Sequence, residues 1–361
     1  MRGTFSFLTA AGLAAGFAAV VCRADDAAVS ALAAEARQLP RICYAARSPA
    51  GDWDLYTARA DGSDARNLTN TPDTNEALPH FSPDGTRLLY RRTPKAEKFD
   101  NNAHGSQGEL VLSDRDGGSP RALGRAEELA WASWSPDGSQ IATLQADGIR
   151  FVDAKTLKVV RTLKRQGFFQ QMTWSPDGRW LIGVSNGFGA SWMVARMDAA
   201  AGKANAVSVA DCCTPDWFPD GRRVIYSCRP AQWTQLWSAN PDGTDRKMVY
   251  AEDGRHVYGG CVSPDGKYVL FTGNAQEDGD PGAAGSPMGL MRVADGPIVG
   301  GGSAALRKQY PEAKTGPVLP LPAGWEPCWV PPDAKRPASG ADRAGGEPSP
   351  AGRNHRGGVT R

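Results

Sequence analysis

The sequence predicts an all-β chain closed into a six-bladed β-propeller of four-stranded antiparallel blades, and three observations carry that prediction. One five-residue phrase returns along most of the 361-residue chain at the spacing of a four-stranded unit. Short β-rich runs and Asp-Gly turns follow each return, and the two ends of the repeat region are incomplete in complementary ways. Composition agrees with this reading. With 42 Gly and 27 Pro, nearly a fifth of the positions are turn formers that interior helix and buried strand rarely accept, which argues against a helical bundle or coiled coil. At 41% hydrophobic and 22% charged residues, the chain has enough apolar material for a large core.

In chain order, Arg2 precedes an apolar run from Phe5 to Val21, after which Cys22-Arg23-Ala24 places small residues at the −3 and −1 positions of a cleavage site. Residues 1–24 are therefore expected to be a secretory signal, with no other stretch apolar enough to span a bilayer and a periplasmic or secreted mature protein that permits disulfides. Residues 25–40 form a lead segment in which Ala27 to Leu39 suits a short amphipathic helix. The propeller is expected over 41–333. A basic tail rich in Pro and Gly, 334–361, has almost nothing apolar and is expected to be disordered.

Within 41–333 the phrase reads Phe81-Ser82-Pro83-Asp84-Gly85, Trp134-Ser135-Pro136-Asp137-Gly138, Trp174-Ser175-Pro176-Asp177-Gly178, Trp217-Phe218-Pro219-Asp220-Gly221 and Val262-Ser263-Pro264-Asp265-Gly266. A worn sixth copy is Trp329-Val330-Pro331-Pro332-Asp333. From one marker (Phe81, Trp134 and so on) to the next, the spacings are 53, 40, 43, 45 and 67 residues. Pro presets φ for the first central turn position, Asp suits the second, and Gly takes the left-handed position that follows, giving a tight hairpin with a bulge. Second strands follow at Leu88-Leu89-Tyr90, Ile141-Ala142-Thr143, Trp180-Leu181-Ile182, Val224-Ile225-Tyr226 and Tyr268-Val269-Leu270-Phe271. The opening strands, Arg41 to Tyr44 and Asp54 to Thr57, look like the middle of a blade that lacks its first strand. Trp329 marks a first strand with nothing after it. Joined, the termini share one blade, so six first strands give six blades.

These repeats resemble those of the six-bladed TolB-like propellers, over roughly 41–333. The resemblance implies the fold and a non-catalytic protein that binds a protein or peptide partner in the cell envelope; the additional N-terminal α/β domain of TolB proteins has no counterpart here. An alternative is an enzyme, a lyase or hydrolase, that uses the propeller as a scaffold for a metal or acid/base site in the axial channel. Gly183-Val184-Ser185-Asn186-Gly187 matches a nucleophile elbow, but that motif needs a strand-to-helix turn, and here it ends a blade strand.

First strands line a propeller's axis, so residues upstream of the markers are candidates for the channel rim: Glu76, His80, Glu127, Glu128, Gln170, Gln171, His256, Tyr258 and Glu326. Such an acidic, amide-rich rim suits a basic peptide. No catalytic residue and no cofactor are expected, with a channel-bound cation such as calcium as the exception that the rim allows. The insertions at 93–108 and 274–287, the latter with Glu277, Asp278 and Asp280, are further candidate binding loops. Net charge is +2, but it resolves into a mildly acidic body of about −4 between basic ends, which excludes nucleic acid as a partner. A monomer is expected.

Six cysteines remain beyond the leader. A two-residue loop at Asp220-Gly221 sets opposite residues whose numbers sum to 441, which places Cys213 against Cys228. Mapping the shared blade onto this one, Trp329 onto Trp217 and Tyr44 onto Tyr226, places Cys328 against Cys43 in the same way, so Cys213–Cys228 and Cys43–Cys328 are candidate disulfides, the latter a staple of the ring's closure. A bulge in the hairpin would move the register by one. Cys212 and Cys261 lie on the first strands of adjacent blades and either pair with each other or stay free.

Overall fold

A computed structural model describes residues 23–96, 108–126, 131–274, 287–301 and 303–332. The leader, Glu127, Glu128, most of both insertions, the acidic cluster Glu277 to Asp280 and the tail lie outside the described residues.

Helix α1 (Arg23–Ala36) leads into β1 (Ile42–Arg47), β2 (Trp53–Ala58) and β3 (Arg66–Asn67). The next blade is β4 (Thr74–Phe81), β5 (Arg87–Pro94), β6 (Gly108–Asp114) and β7 (Arg121–Ala126). A third comprises β8 (Trp131–Trp134), β9 (Gln140–Gln145), β10 (Gly148–Asp153) and β11 (Val159–Leu163), and a fourth β12 (Phe168–Trp174), β13 (Trp180–Ser185), β14 (Met193–Asp198) and β15 (Ala204–Ala206). The fifth has β16 (Cys212–Trp217), β17 (Val224–Cys228), β18 (Gln235–Ala239) and β19 (Lys247–Glu252). The sixth begins with β20 (His256–Val262), β21 (Tyr268–Asn274) and β22 (Pro287–Arg292). The chain then detours through β23 (Ile298–Gly300) and α2 (Ala304–Gln309) before β24 (Leu319–Ala323) completes the sixth blade and β25 (Trp325–Trp329) returns to β1. The shared blade therefore has the order β25-β1-β2-β3, as the incomplete ends required.

Each phrase folds as its chemistry dictates. Gly85, Gly138, Gly178, Gly221 and Gly266 all have φ between +66° and +73°, the left-handed position after a type I turn. The turn's Asp is fixed from both sides: Ser82 Oγ donates to Asp84 Oδ1 at 2.6 Å and the Thr86 amide at 3.1 Å. These turns also stack around the ring. Pro83, Pro136, Pro176 and Pro219 each lie 3.4–4.0 Å from where a Cβ would sit on the turn glycine of the next blade. At Gly85 that place is filled by the carbonyls of Pro331 and Pro332, so the worn copy is the turn that closes the staircase.

The markers fill the spaces between blades. Phe81, Trp134, Trp217, Val262 and Trp329 are buried, and two of the indoles also tie neighbouring blades together. Trp134 Nε1 donates to the His80 carbonyl and Trp329 Nε1 to the Cys261 carbonyl, each at 3.2 Å. Trp53 is buried as well, while Trp192 and Trp233 rest edge-on against Phe169 and His256, at 5.2 and 4.9 Å.

The stretch 297–324, irregular in sequence, is structured. β23 adds in parallel to β19, giving the fifth blade a fifth strand and covering its outer edge. The lead segment is part of the fold too. Leu32 and Ala36 of α1 are fully buried with Ile42, Tyr44, Leu290, Leu321 and Trp329, where the first and last blades meet. Glu35 takes both ends of the Arg292 guanidinium at 2.8 Å and the Tyr268 hydroxyl at 3.0 Å. Among the described residues, no helix is long and apolar enough to cross a membrane.

One pairing differs from expectation. Cys228 forms its disulfide with Cys212, not with Cys213, and Cys212 is therefore not paired with Cys261; Cys43 and Cys328 do face each other, but as free thiols. Trp217↔Val224 and Asp216↔Ile225 keep the register set by the turn, but Thr214 adopts φ +47° and inserts a bulge, so that Cys213 faces Ser227 and Cys212 faces Cys228.

Truncating the α1 anchor tests whether the helix belongs to the cooperative core. Leu32→Ala should destabilise by about 2–4 kcal/mol, read as a lower urea midpoint with unchanged slope. A loss under about 0.5 kcal/mol would show that the helix docks without contributing.

Candidate functional site: the axial cavity

All six first strands meet around one cavity of about 140 Å³. Five of them carry the same defect. Leu78, Gln171, Thr214, Gly259 and Glu326 each sit three residues before the marker with φ between +47° and +65°, and each lies inside a register shift of its hairpin. A bulge releases an amide from the ladder, and a buried amide must find another acceptor. Here the neighbouring blade supplies it. Gln171 Oε1 accepts from Thr214 N at 2.6 Å, Thr214 Oγ1 from Gly259 N at 3.1 Å, and Glu326 Oε2 from Leu78 N at 3.0 Å. The bulge residue of one blade thus caps the bulge amide of the next, and Ser227 Oγ holds the Thr214 hydroxyl at 2.5 Å.

Two residues nearer the marker lies a second tier in which every blade contributes a polar side chain: His80, Ser133, Thr173, Asp216, Cys261 and Cys328. Successive members meet. Ser133 Oγ lies 3.5 Å from Thr173 Oγ1, the Cys261 thiol lies beside Asp216 and favours its charged form, and Cys328, which is paired in register with Cys43, is close enough to Cys261 to push its pKa up further.

Burial dominates the electrostatics of this axis. It raises Glu326 to about 7 against the Arg91 charge and the Leu78 amide, and Asp216 to about 6 against bonds from the Trp217 and Val262 amides and the Cys261 thiol. Burial alone lowers His80 to about 4, with no carboxylate beside it to favour the imidazolium. The thiols of Cys213, Cys261 and Cys328 are all raised, Cys213 to about 12 by burial and Cys328 first by its bond to Cys43. Such thiols are poor nucleophiles.

The sequence-predicted rim residues divide by offset. His80, Gln171 and Glu326, at odd offsets close to the marker, line the cavity. Glu76, Gln170 and His256 are buried elsewhere and do not form a solvated mouth. Glu76 bonds to Thr74 Oγ1 at 2.5 Å, and burial together with nearby Asp54 raises it to about 7. Asp54 is itself held by Asn67 Nδ2 at 2.5 Å and by Thr69 Oγ1 and the Thr71 amide, each at 3.1 Å. His256 Nδ1 lies 3.0 Å from Thr234 Oγ1 between the rings of Trp233 and Tyr258. Tyr258 packs on Trp325, 5.8 Å away. Asp216, Thr173, Ser133, Cys261 and Cys328 were not among the predicted rim residues, although their constant position one residue before the marker was available as a signal. Among the described residues, no group of three or more His, Cys, Asp or Glu side chains is placed to hold a metal.

Ring, shared blade and axial cavity define a six-bladed propeller closed by strands from both ends of the chain. No family model matches the chain. An uncharacterized protein of Agrobacterium fabrum is 28% identical, over 45% of this chain and 68% of the relative. Among solved structures, TolB from Acinetobacter baumannii matches with a TM-score of 0.57 at 18% identity, over 81% of this chain and 67% of that one. A chain of a nidogen/laminin complex matches at 0.52 and 12% identity, over 70% and 89% respectively. The chain has the TolB-like six-bladed propeller fold; at these identities, that is what the solved structures establish.

Two measurements probe the axis. Glu76, Asp216 and Glu326 hold their protons to higher pH when folded than when unfolded, so the folded state binds more protons between about pH 4.5 and 7 and stability falls as pH rises through that window. His80, depressed by folding, opposes this over about pH 4 to 6.5. The net expectation is a Tm that declines from pH 5 to 7.5, with a shallower decline in Glu326→Gln, which keeps an acceptor for the Leu78 amide. An identical slope in the variant would show that Glu326 does not titrate there. Separately, Gln171→Ala should cost about 1–3 kcal/mol in urea denaturation, because it strands the Thr214 amide; a cost near zero would show that another acceptor reaches it.

Proposed function

We propose that this chain is an exported, non-catalytic propeller, periplasmic or secreted, that binds a protein or peptide partner at the channel mouth or through the insertions at 93–108 and 274–287. The observation that carries this reading is the state of the axis. Its cavity of about 140 Å³ is the size of one inserted side chain, below the usual range for a small-molecule site. Its carboxyls are committed to backbone amides, and among the described residues no carboxylate pairs with its histidine, which burial lowers to about 4. The nucleophile and base that the axis does bring together, the Cys261 thiol and Asp216, are poorly suited to covalent chemistry, because burial and the neighbouring carboxylate both raise the thiol and disfavour its thiolate. What the axis does offer a peptide is a rigid, partly apolar recess: Leu78, Trp131 and Met172 line it, and the Trp131 indole N–H is buried without a hydrogen-bond partner among the described residues. The Cys212–Cys228 disulfide supports an oxidising compartment, and the TolB-like fold supports protein binding by analogy.

The test is capture of partners from envelope extract on the immobilised full chain, on Ala132→Phe, which fills the cavity, and on chains lacking either insertion. A partner held by the parent chain and lost with Ala132→Phe or with one deletion is expected. Retention of every partner by all three variants would overturn the proposal.

A further inference from the structure

We propose that Cys43 and Cys328 form a second disulfide, one that covalently locks the seam where the propeller closes. The two residues are direct partners in the antiparallel pairing of β1 with β25. Such partners have Cα atoms about 4.5–5.5 Å apart, inside the range that a disulfide spans. Both are free thiols in this structure, and both side chains belong to the same apolar cluster, with Cys43 fully buried in it and Cys328 packed against it.

Cys328 has one competing neighbour, Cys261 on the next first strand. Two observations favour Cys43. The Cys261 thiol is engaged by Asp216, and its side chain packs against a different cluster, on the other side of the shared blade. Cys328 and Cys43 also lie on the Trp329 side of the Glu326 bulge, where the pairing set by Trp329↔Ile42 still holds.

The step balances with a disulfide oxidant. The two Sγ atoms of Cys43 and Cys328 bond to each other, the oxidant's S–S bond breaks, and the two thiol protons end on its two sulfurs, giving two thiols of spent oxidant. Because Cys43 is fully buried and Cys328 borders the cavity, the bond is made as the ring closes, before the seam excludes the oxidant. Its loop encloses nearly the whole propeller, the geometry in which chain entropy makes a cross-link most stabilising.

The experiment is refolding of the full chain in a buffer of oxidised and reduced glutathione, alkylation of the remaining thiols, and peptide mapping without reduction. The expected products are a Cys212–Cys228 pair and a Cys43–Cys328 pair, with Cys213 and Cys261 alkylated. Alkylated Cys43, or Cys328 linked to Cys261, overturns the proposal. The double variant Cys43→Ala/Cys328→Ala supplies a second readout. Its Tm should fall about 5–10 °C below that of the oxidised parent chain, and the gap should shrink to about 2 °C or less when both are measured in reductant. A gap that is the same with and without reductant reflects lost packing alone and also overturns the proposal.

Discussion

The pairing of β25 with β1 is the contact on which the rest of this molecule depends. Five blades are built from local hairpins and need no distant partner, but a row of such blades leaves open edges and half-covered faces at both ends. When Trp329 takes its place opposite Ile42, the apolar faces at both ends are covered at once and the ring has no open end. Other features concentrate at that seam. Helix α1 buries Leu32 and Ala36 across it, Glu35 clamps Arg292 from the last blade, and the Trp329 indole reaches the Cys261 carbonyl. Closure is thus supported by apolar burial, a two-point ion pair and an interblade hydrogen bond, each weak beside the entropy of bringing the chain ends together and effective in combination.

Closing a ring of twisted strands around a narrow axis has a local consequence. First strands crowd there, and in five of them the crowding is relieved by a bulge at the same position. Bulges would be costly in a dry interior if their amides were orphaned. The capping of Thr214 by Gln171, of Gly259 by Thr214 and of Leu78 by Glu326 turns that liability into links between neighbouring blades. It also explains why a carboxyl group is tolerated at the axis: Glu326 is held as an acceptor, and burial raises its pKa to about 7. Polar residues on the axis therefore hold the scaffold together before they are available to any ligand, which is why the functional reading rests on surface shape and loops more than on reactive groups.

Much of the fold was legible in the sequence, because the repeated phrase fixes turn geometry through covalent preference. Pro, Asp and Gly at consecutive positions can do little else, and the strands on either side follow from short apolar runs. The candidate site was legible in part. His80, Gln171 and Glu326 were found by proximity to the markers. Glu76, Gln170 and His256, four to six residues before their markers, face other surroundings because a bulge rotates the strand upstream of it. The cysteines show the same boundary: counting from the marker sets Cys328 against Cys43, on the marker side of the bulge, and fails for Cys213 and Cys228, beyond it.

By itself, then, the sequence determined what is local or periodic: an all-β array, its blade count, the turn at each phrase and a last blade shared by the two ends. Tertiary structure decided what depends on neighbours. It placed the bulges, for which Leu78, Gln171, Thr214 and Glu326 carry no common residue type. It chose Cys212 as the partner of Cys228 and folded the irregular 297–324 stretch into a strand on the edge of the fifth blade. The physical reason is one of range. A turn is governed by φ and ψ preferences within four residues, whereas a bulge in a first strand is set by how closely six strands must pack around a common axis.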